Sequence, residues 1–162
     1  MHANSLDPLD KIHHHLNALF KSYFILPKST SFDYSRRTGR IKSFSFENQL
    51  AGTLRTDGGI ALTVSGAEVL MKNPLFKVNC VIPIHEAIPF VSEGRSLYCK
   101  HVKWCGSNVK VGSDVVVIDD NDGILAVGRA KISSNMMKEL GAGVAVRIRQ
   151  GIKSRRGTEG SI

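Results

Sequence analysis

Residues 114–132 constrain this chain more than any other stretch. Asp114–Ile118 is a nearly pure β-branched run, Asp120-Asn121-Asp122-Gly123 is a strong hairpin-turn signal, and Ile124–Ile132 answers as the partner strand. A β-hairpin is therefore expected. Gly128 interrupts its second strand and marks a bulge or a close backbone approach. The neighbouring sequence is also strand-rich. Ser96–Val102 alternates, and Val144–Ile148 reads as a last strand. Ser133–Leu140 reads as a short helix, capped by Ser133 or Ser134 and ended by Gly141. The end of the chain, 154–162, is too polar to pack and is expected to be a mobile basic tail.

The first half differs. Residues 7–26 predict one amphipathic helix, with Asp7 as cap and Pro8 in the first turn. Leu9, Ile12, Leu16, Leu19, Phe20, Tyr23 and Phe24 recur at three- and four-residue spacing until Pro27. Residues 31–39 read as a polar loop containing Arg36-Arg37. Ile41–Phe46, Leu50–Arg55 and Ile60–Val64 then form an antiparallel meander, separated by Glu47-Asn48-Gln49 and Asp57-Gly58-Gly59. Residues 65–72 predict a short helix capped by Ser65, with Glu68 three residues on. Val78–Ile82 is a further strand. The class is α+β in two parts, meeting near residue 90.

Charge gives the first functional constraint. The 162 residues hold 22 Lys+Arg against 14 Asp+Glu, a formal net charge of +8. Such an excess fits a polyanionic partner, nucleic acid before an anionic membrane. Residues 1–90 carry 10 bases and 7 acids, net +3; residues 91–162 carry 12 bases and 7 acids, net +5. In the second half Asp114, Asp119, Asp120 and Asp122 fall within nine residues, so the fold can present one acidic corner and one basic face, or an ordinary solvated surface. No run of 18 apolar residues exists, and the acidic start lacks a secretory pattern, so a cytoplasmic protein with no membrane partner is expected.

Catalytic patterns fail on inspection. Cys80, Cys99 and Cys105 are odd in number and lack CxxC spacing, which fits reduced thiols rather than a disulfide framework or a zinc site. His13-His14-His15 point about 100° apart on a helix and cannot converge on one metal, so a surface run is expected. His85-Glu86 starts like HExxH, but Pro89 stands at the second histidine. Gly141-Ala142-Gly143 lacks the third glycine of a dinucleotide fingerprint, with Val146 in its place. Asp119, Asp120 and Asp122 lack a suitably spaced Glu and read as turn acids rather than a divalent-cation loop. No catalytic residue, metal site or cofactor is assigned.

The basic half has the residue types of RNA contact. Lys and Arg neutralise phosphates, and Gly lets backbone amides approach the ribose–phosphate chain. Trp104 and Tyr98 lie among Lys100, His101 and Lys103, so a base or sugar could stack beside cations. Trp104 fits a core or hinge aromatic equally well, and Lys100 and Lys103 fit a plain solvated strand edge.

The stretch EGRSLYCKHVKWCGSNVKVGSDVVVIDDNDGILAVGRAKISSNMMKELGAGVAVRIRQGI, 93–152, resembles a PUA domain, a small β pseudobarrel. Its landmarks are the opening EGRS, VKVGSDVVV, ILAVGRA, KISSNMM and the closing GVAVRIRQG. Upstream, SRRTGRIKSFSF, QLAGTLRTDGGIALTVSGAEVL and VIPIHEAIPFVSEG resemble the domain preceding PUA in archaeal tRNA-guanine transglycosylases. The resemblance covers about 31–153. It implies an N-terminal pre-PUA domain with a helix and an antiparallel sheet over 1–90, then a PUA pseudobarrel over 91–153. In that family a separate TIM barrel, with an aspartate nucleophile and a Cys/His zinc site, exchanges a guanine in the tRNA D-arm for a 7-deazaguanine precursor. This sequence has neither. The resemblance therefore implies a non-catalytic role, binding tRNA at its acceptor-stem end or another structured RNA, with a separate transglycosylase catalytic subunit as a further partner. The alternative is a translation or ribosome-associated PUA factor. The implied contact surface runs from His101 to Gly112 with the neighbouring strand. The candidate RNA contacts are Lys100, His101, Lys103, Trp104, Lys110, Gly112, Arg129, Arg147, Arg149 and Lys153.

Overall fold

A computed structural model of the chain describes residues 7–137 and 139–154. Helix α1 (Pro8–Phe20) starts as expected. The Asp7 Oδ1 accepts from the Leu9 amide at 3.1 Å, and Pro8 occupies a position whose N–H would have no intrahelical partner. Ile12, Leu16 and Phe20 are buried at four-residue spacing. The helix is shorter than the 7–26 expected. Lys21 adopts the left-handed conformation (φ 59°), and its amide closes on the Asn17 carbonyl. Beyond it the burial period changes to two: Ser22, Phe24 and Leu26 turn inward, while Tyr23 and Ile25 face out. This extended passage brings Phe24 edge-on to Phe76, with ring centroids 5.8 Å apart.

The expected loop at 31–39 holds a strand instead. β1 (Ser31–Tyr34) pairs antiparallel with β2 (Ile41–Phe46), which pairs with β3 (Gln49–Leu54), and that with β4 (Ile60–Leu62). β1 is an edge strand with three of its four residues exposed, so the backbone ladder holds it and no apolar alternation marks it. Helix α2 (Val64–Leu70) begins earlier than expected and is capped by Thr63, not Ser65. Thr63 is extended at the end of β4, and its Oγ1 accepts from the Gly66 amide at 3.0 Å. A Cβ at Gly66 would collide with the Ala51 carbonyl, so the helix lies directly on β3.

After a 3-10 turn at Pro74–Asn79 comes the second sheet. Its strands are β5 (Cys80–Pro83), β6 (Leu97–Tyr98), β7 (Val102–Cys105), β8 (Asp114–Ile118), β9 (Ile124–Ala130) and β10 (Val144–Gly151), with α3 (Ile88–Ser92) and α4 (Ser134–Met137) between them. The order is β6-β10-β9-β8-β5-β7, antiparallel except for β5 beside β8. The edge strands β6 and β7 are separated in sequence only by the three-residue bend Cys99–His101, so the sheet must curl nearly closed. That bend splits the single strand expected at Ser96–Val102. The expected hairpin is β8–β9. Asp119 Oδ1 accepts from the amides of Asn121 and Gly123, both at 2.8 Å, and Asp122 takes a positive φ. At Gly128 a Cβ would strike the Arg147 carbonyl, which makes this a close backbone approach. The helix expected over Ser133–Leu140 is shorter, and the last strand is longer than expected. The tail expected at 154–162 lies, beyond Ser154, outside the described residues.

β8 is buried on both faces. Val115 and Val117 enter the interior of the curled sheet with Val81, Leu97 and Val146. Val116 and Ile118 join Phe20, Phe44 and Leu62 in the core beneath α1 and the first sheet. β5, upstream of the division expected near residue 90, is a strand of the second sheet, and Cys80 and Ile82 belong to the first core. The first sheet and its helices thus cap one outer face of the curled sheet. The three cysteines are buried and none forms a disulfide, and burial pushes the Cys80 thiol up to about 12.

Candidate functional site

The segment joining β7 to β8 is anchored at one end and projects at the other. Gly106 donates to the Cys80 carbonyl at 2.8 Å, and a Cβ there would strike the Val78 carbonyl. The Asn108 side-chain amide donates to the Leu19 carbonyl (2.9 Å) and to Asn79 Oδ1 (2.6 Å), tying the loop to the end of α1. Val109 is buried. Lys110 is exposed, and Val111 is 72% exposed. The chain then folds back: the Lys110 amide donates to Ser113 Oγ, and Gly112 (φ 86°) donates to the Ala130 carbonyl. A non-glycine side chain would be strained at this φ. The result is a fixed loop with a cationic, solvated tip.

Beside it lies a cleft of about 350 Å³, lined by Lys110, Gly112, Arg129, Arg55, Asp57 and Asp114 among others. The Gly112 carbonyl accepts from Arg129 Nε at 3.1 Å, and Arg129 Nη2 donates to Asp57 Oδ2 at 2.6 Å. Arg55 reaches Asp57 Oδ1 through Nε at 3.2 Å and Asp114 through Nη1. Asp114 also accepts from the Ile60 amide at 3.1 Å. This network joins the β3–β4 turn and β4 to β8 and β9. The Gly59 amide, and then Arg55 and Arg129, hold the Asp57 carboxyl below the ordinary carboxylate value. Burial pushes Asp114 the other way, against the pull of Arg55. Burial also opposes the charge on Arg55, but Asp114 and Asp57 outweigh it and hold that pKa up. The pair is uneven because the Asp114 side chain is only 4% exposed and loses more hydration than its partner.

The expected contacts fall in several places. Lys110, Gly112 and Arg129 share the cleft, and Arg147 stands directly across the β9–β10 ladder from Arg129, both exposed. Like charges opposite one another repel, and Asp57 relieves only Arg129. Arg149 turns its guanidinium onto the Leu62 carbonyl and staples β10 to β4. Lys100 is exposed on the bend between β6 and β7. Half-buried His101 lines another cleft with Tyr98, Phe90 and Arg95. Lys103 pairs with Asp120 at 2.9 Å. Trp104 packs against the first core beneath Lys77, whose Nζ is 5.8 Å from its ring and pairs with Asp122. Lys153 is exposed just after β10, beside Ser154, whose hydroxyl donates to the Gly151 carbonyl at 2.9 Å. The hairpin acids Asp120 and Asp122 therefore fold back onto the bases Lys103 and Lys77, whereas Asp114 is buried against Arg55. The histidine run is also not simply a surface patch. His13 donates to the Phe24 carbonyl (2.6 Å) and stacks on Tyr23, His15 donates to the Gly58 carbonyl (2.7 Å), and His14 is exposed.

Sequence reasoning did not assemble a further group, Lys11, Arg37, Arg40 and Lys42, which line one groove beside α1. Arg37 carried a local signal, its pairing with Arg36. Lys11 lies more than twenty residues away, and no spacing rule joins them. Among the described residues, no three His, Cys, Asp or Glu side chains are grouped to hold a metal ion, and no helix is long and apolar enough to cross a membrane.

A six-stranded sheet curled nearly closed, with a helix-backed four-stranded sheet capping it, defines an α+β protein built around a β pseudobarrel. Residues 84–152 match the family model of the PUA domain, and the chain carries that domain. The tRNA-guanine(15) transglycosylase of Methanothermobacter thermautotrophicus is 31% identical over 118 residues, covering 72% of this chain and 18% of the relative. The enzyme of the same name from Thermoplasma acidophilum is 31% identical over 119 residues, covering 71% and 18%. The chain spans about a fifth of the length of the curated relatives it matches. Among solved structures, a hypothetical protein of Pyrococcus horikoshii OT3 superposes with a TM-score of 0.65 at 18% identity, covering 93% of both chains. A PUA domain from Aeropyrum pernix K1 does so with 0.66 at 16% identity, covering 92% of this chain and 85% of its own. These two share the fold over both sheets.

Proposed function

We propose that this chain binds structured RNA, tRNA foremost, and holds it for modification of the tRNA-guanine transglycosylase type without carrying out the chemistry itself. The observation that carries this reading is the PUA domain within a stretch that matches about a fifth of the tRNA-guanine(15) transglycosylases. The base exchange belongs, in this reading, to a separate catalytic subunit. The geometry supports a phosphate-holding role for the anchored loop and the β9–β10 face. Lys110 and Arg147 make no ion pair among the described residues and are free to neutralise phosphates. Arg129 becomes available when a phosphate replaces Asp57, an exchange of one anion for another. Binding then releases condensed counterions and weakens as salt rises.

The test is a titration of tRNA into the purified chain at several salt concentrations, with a Lys110→Ala/Arg147→Ala variant alongside. The expected result is binding to tRNA whose log–log salt slope falls by roughly 0.7–0.9 for each contact removed. Absence of tRNA binding at moderate salt overturns the reading.

A further inference from the structure

A groove of about 960 Å³ runs between α1 and the β1–β2 hairpin. Lys11 and His15 line it from α1, Arg37 and Arg40 from the turn, Lys42 from β2 and Arg55 from the β3–β4 turn; among the described residues no Asp or Glu lines it. Among the described residues Lys11, Arg37, Arg40 and Lys42 make no ion pair, whereas Lys77, Lys103 and Arg129 each meet a carboxylate. The walls are fixed before any ligand arrives. The Ser35 amide donates to the Arg40 carbonyl and the Gly39 amide to the Ser35 carbonyl, both at 2.8 Å, which closes the turn. His15 pins α1 to the β3–β4 turn through the Gly58 carbonyl. Tyr34, 49% exposed, lines the same groove.

From this arrangement we infer that the groove is a second polyanion site and that its occupant is the sugar–phosphate backbone of the RNA held by the second sheet. The inference rests on the RNA-binding reading above. Unpaired cations of one sign on rigid walls concentrate positive potential in the concavity. A flat bilayer surface does not enter a concavity of this kind, whereas a phosphate ridge does. An exposed tyrosine among arginines suits a sugar or an unstacked base. The groove also adjoins the cleft beside Gly112, because Arg55 and Gly58 line both. One RNA can therefore contact both sheets, passing the Asp57 carboxylate that Arg55 and Arg129 neutralise.

The experiment compares wild type, an Arg37→Ala/Arg40→Ala/Lys42→Ala triple variant, the Lys110→Ala/Arg147→Ala variant and their combination, by tRNA anisotropy across salt. All five side chains are exposed, and a matching melting temperature shows that the fold is retained. The triple variant should bind tRNA roughly tenfold or more weakly near physiological salt, with a slope shallower by roughly 2–3. The combined variant should lose both increments. Wild-type binding with an unchanged slope in the triple variant overturns the groove inference and leaves the RNA reading standing. Failure of wild type to bind tRNA overturns both. Displacement of tRNA by poly-glutamate at equal charge concentration, with the triple variant losing both ligands alike, overturns the assignment to RNA in favour of an acidic peptide.

Discussion

In the cleft beside Gly112, Arg55 and Arg129 both reach Asp57, and Arg55 also holds Asp114; in the groove beside α1, Arg37, Arg40 and Lys42 meet no carboxylate among the described residues. The contrast runs against the charge count. The second half of the chain carries the larger excess, +5 against +3, yet several of its bases are already engaged. Lys103 answers Asp120, Arg129 answers Asp57, and Arg149 serves the Leu62 carbonyl. Net charge describes the whole surface, but a polyanion meets local potential, and local potential depends on where the acids fold. The two regions consequently have different physical work: the paired arginines hold the sheets together, and the unpaired ones remain available to a ligand.

The largest expected effect comes from breaking the paired side. Asp114→Ala removes the partner of a half-buried arginine and the acceptor of the Ile60 amide, and should cost about 3 kcal/mol in urea unfolding. An Arg55→Met/Asp114→Leu double variant should lose less than Asp114→Ala, because no charge is left stranded. Equal losses would mean that the pair contributes net attraction rather than registry.

Next in size is the shared core. Val116→Ala, which faces the first core, and Val115→Ala, which faces the interior of the curled sheet, should each cost about 2 kcal/mol. Both should shift a single unfolding transition. Two separated transitions would show that the capping sheet and the curled sheet melt apart. Thr63→Ala should cost about 1 kcal/mol through loss of the α2 cap, while Ser65→Ala should change stability little.

The smallest effect sharpens the comparison most finely. Asp57→Asn leaves Arg55 on Asp114 but frees Arg129, and should steepen the tRNA salt slope by roughly 0.7–0.9 as that guanidinium takes up a phosphate. The same variant carries a pH signature. The Asp57 carboxyl is lowered in the folded chain, so its contribution to stability is complete above the ordinary value of 3.8 and is lost as pH falls through the folded value. The stability advantage of wild type over Asp57→Asn should therefore narrow in acid below that point.

Local signals in the sequence matched local structure. The β8–β9 hairpin was legible because Asp120-Asn121-Asp122-Gly123 separates two apolar runs, and the start of α1 because Asp7 and Pro8 adjoin the apolar stripe. The end of α1 was not, since Tyr23 and Phe24 continue the stripe while a left-handed Lys21 interrupts it with no residue preference to announce it. β1 was hidden because an edge strand with one pairing partner needs little buried side chain. The bend at Cys99–His101 was hidden by an alternating pattern, because closure of a sheet depends on contacts far away in sequence. For the candidate site, the sequence indicated residue types and a loop. It did not indicate that Arg149 would be spent on Leu62, or that Lys11 would join Arg37 and Arg40 across one groove. Those facts are tertiary.

The central claim is that cations left unpaired by the fold hold RNA phosphates on both sheets. The slope of log affinity for tRNA against log salt, measured on the intact chain, tests it most directly. With Arg37, Arg40, Lys42, Lys110 and Arg147 all in contact, the line should fall with a slope of roughly −4. A flat line, or binding lost only when the paired residues Arg55 and Asp114 are changed, would contradict it.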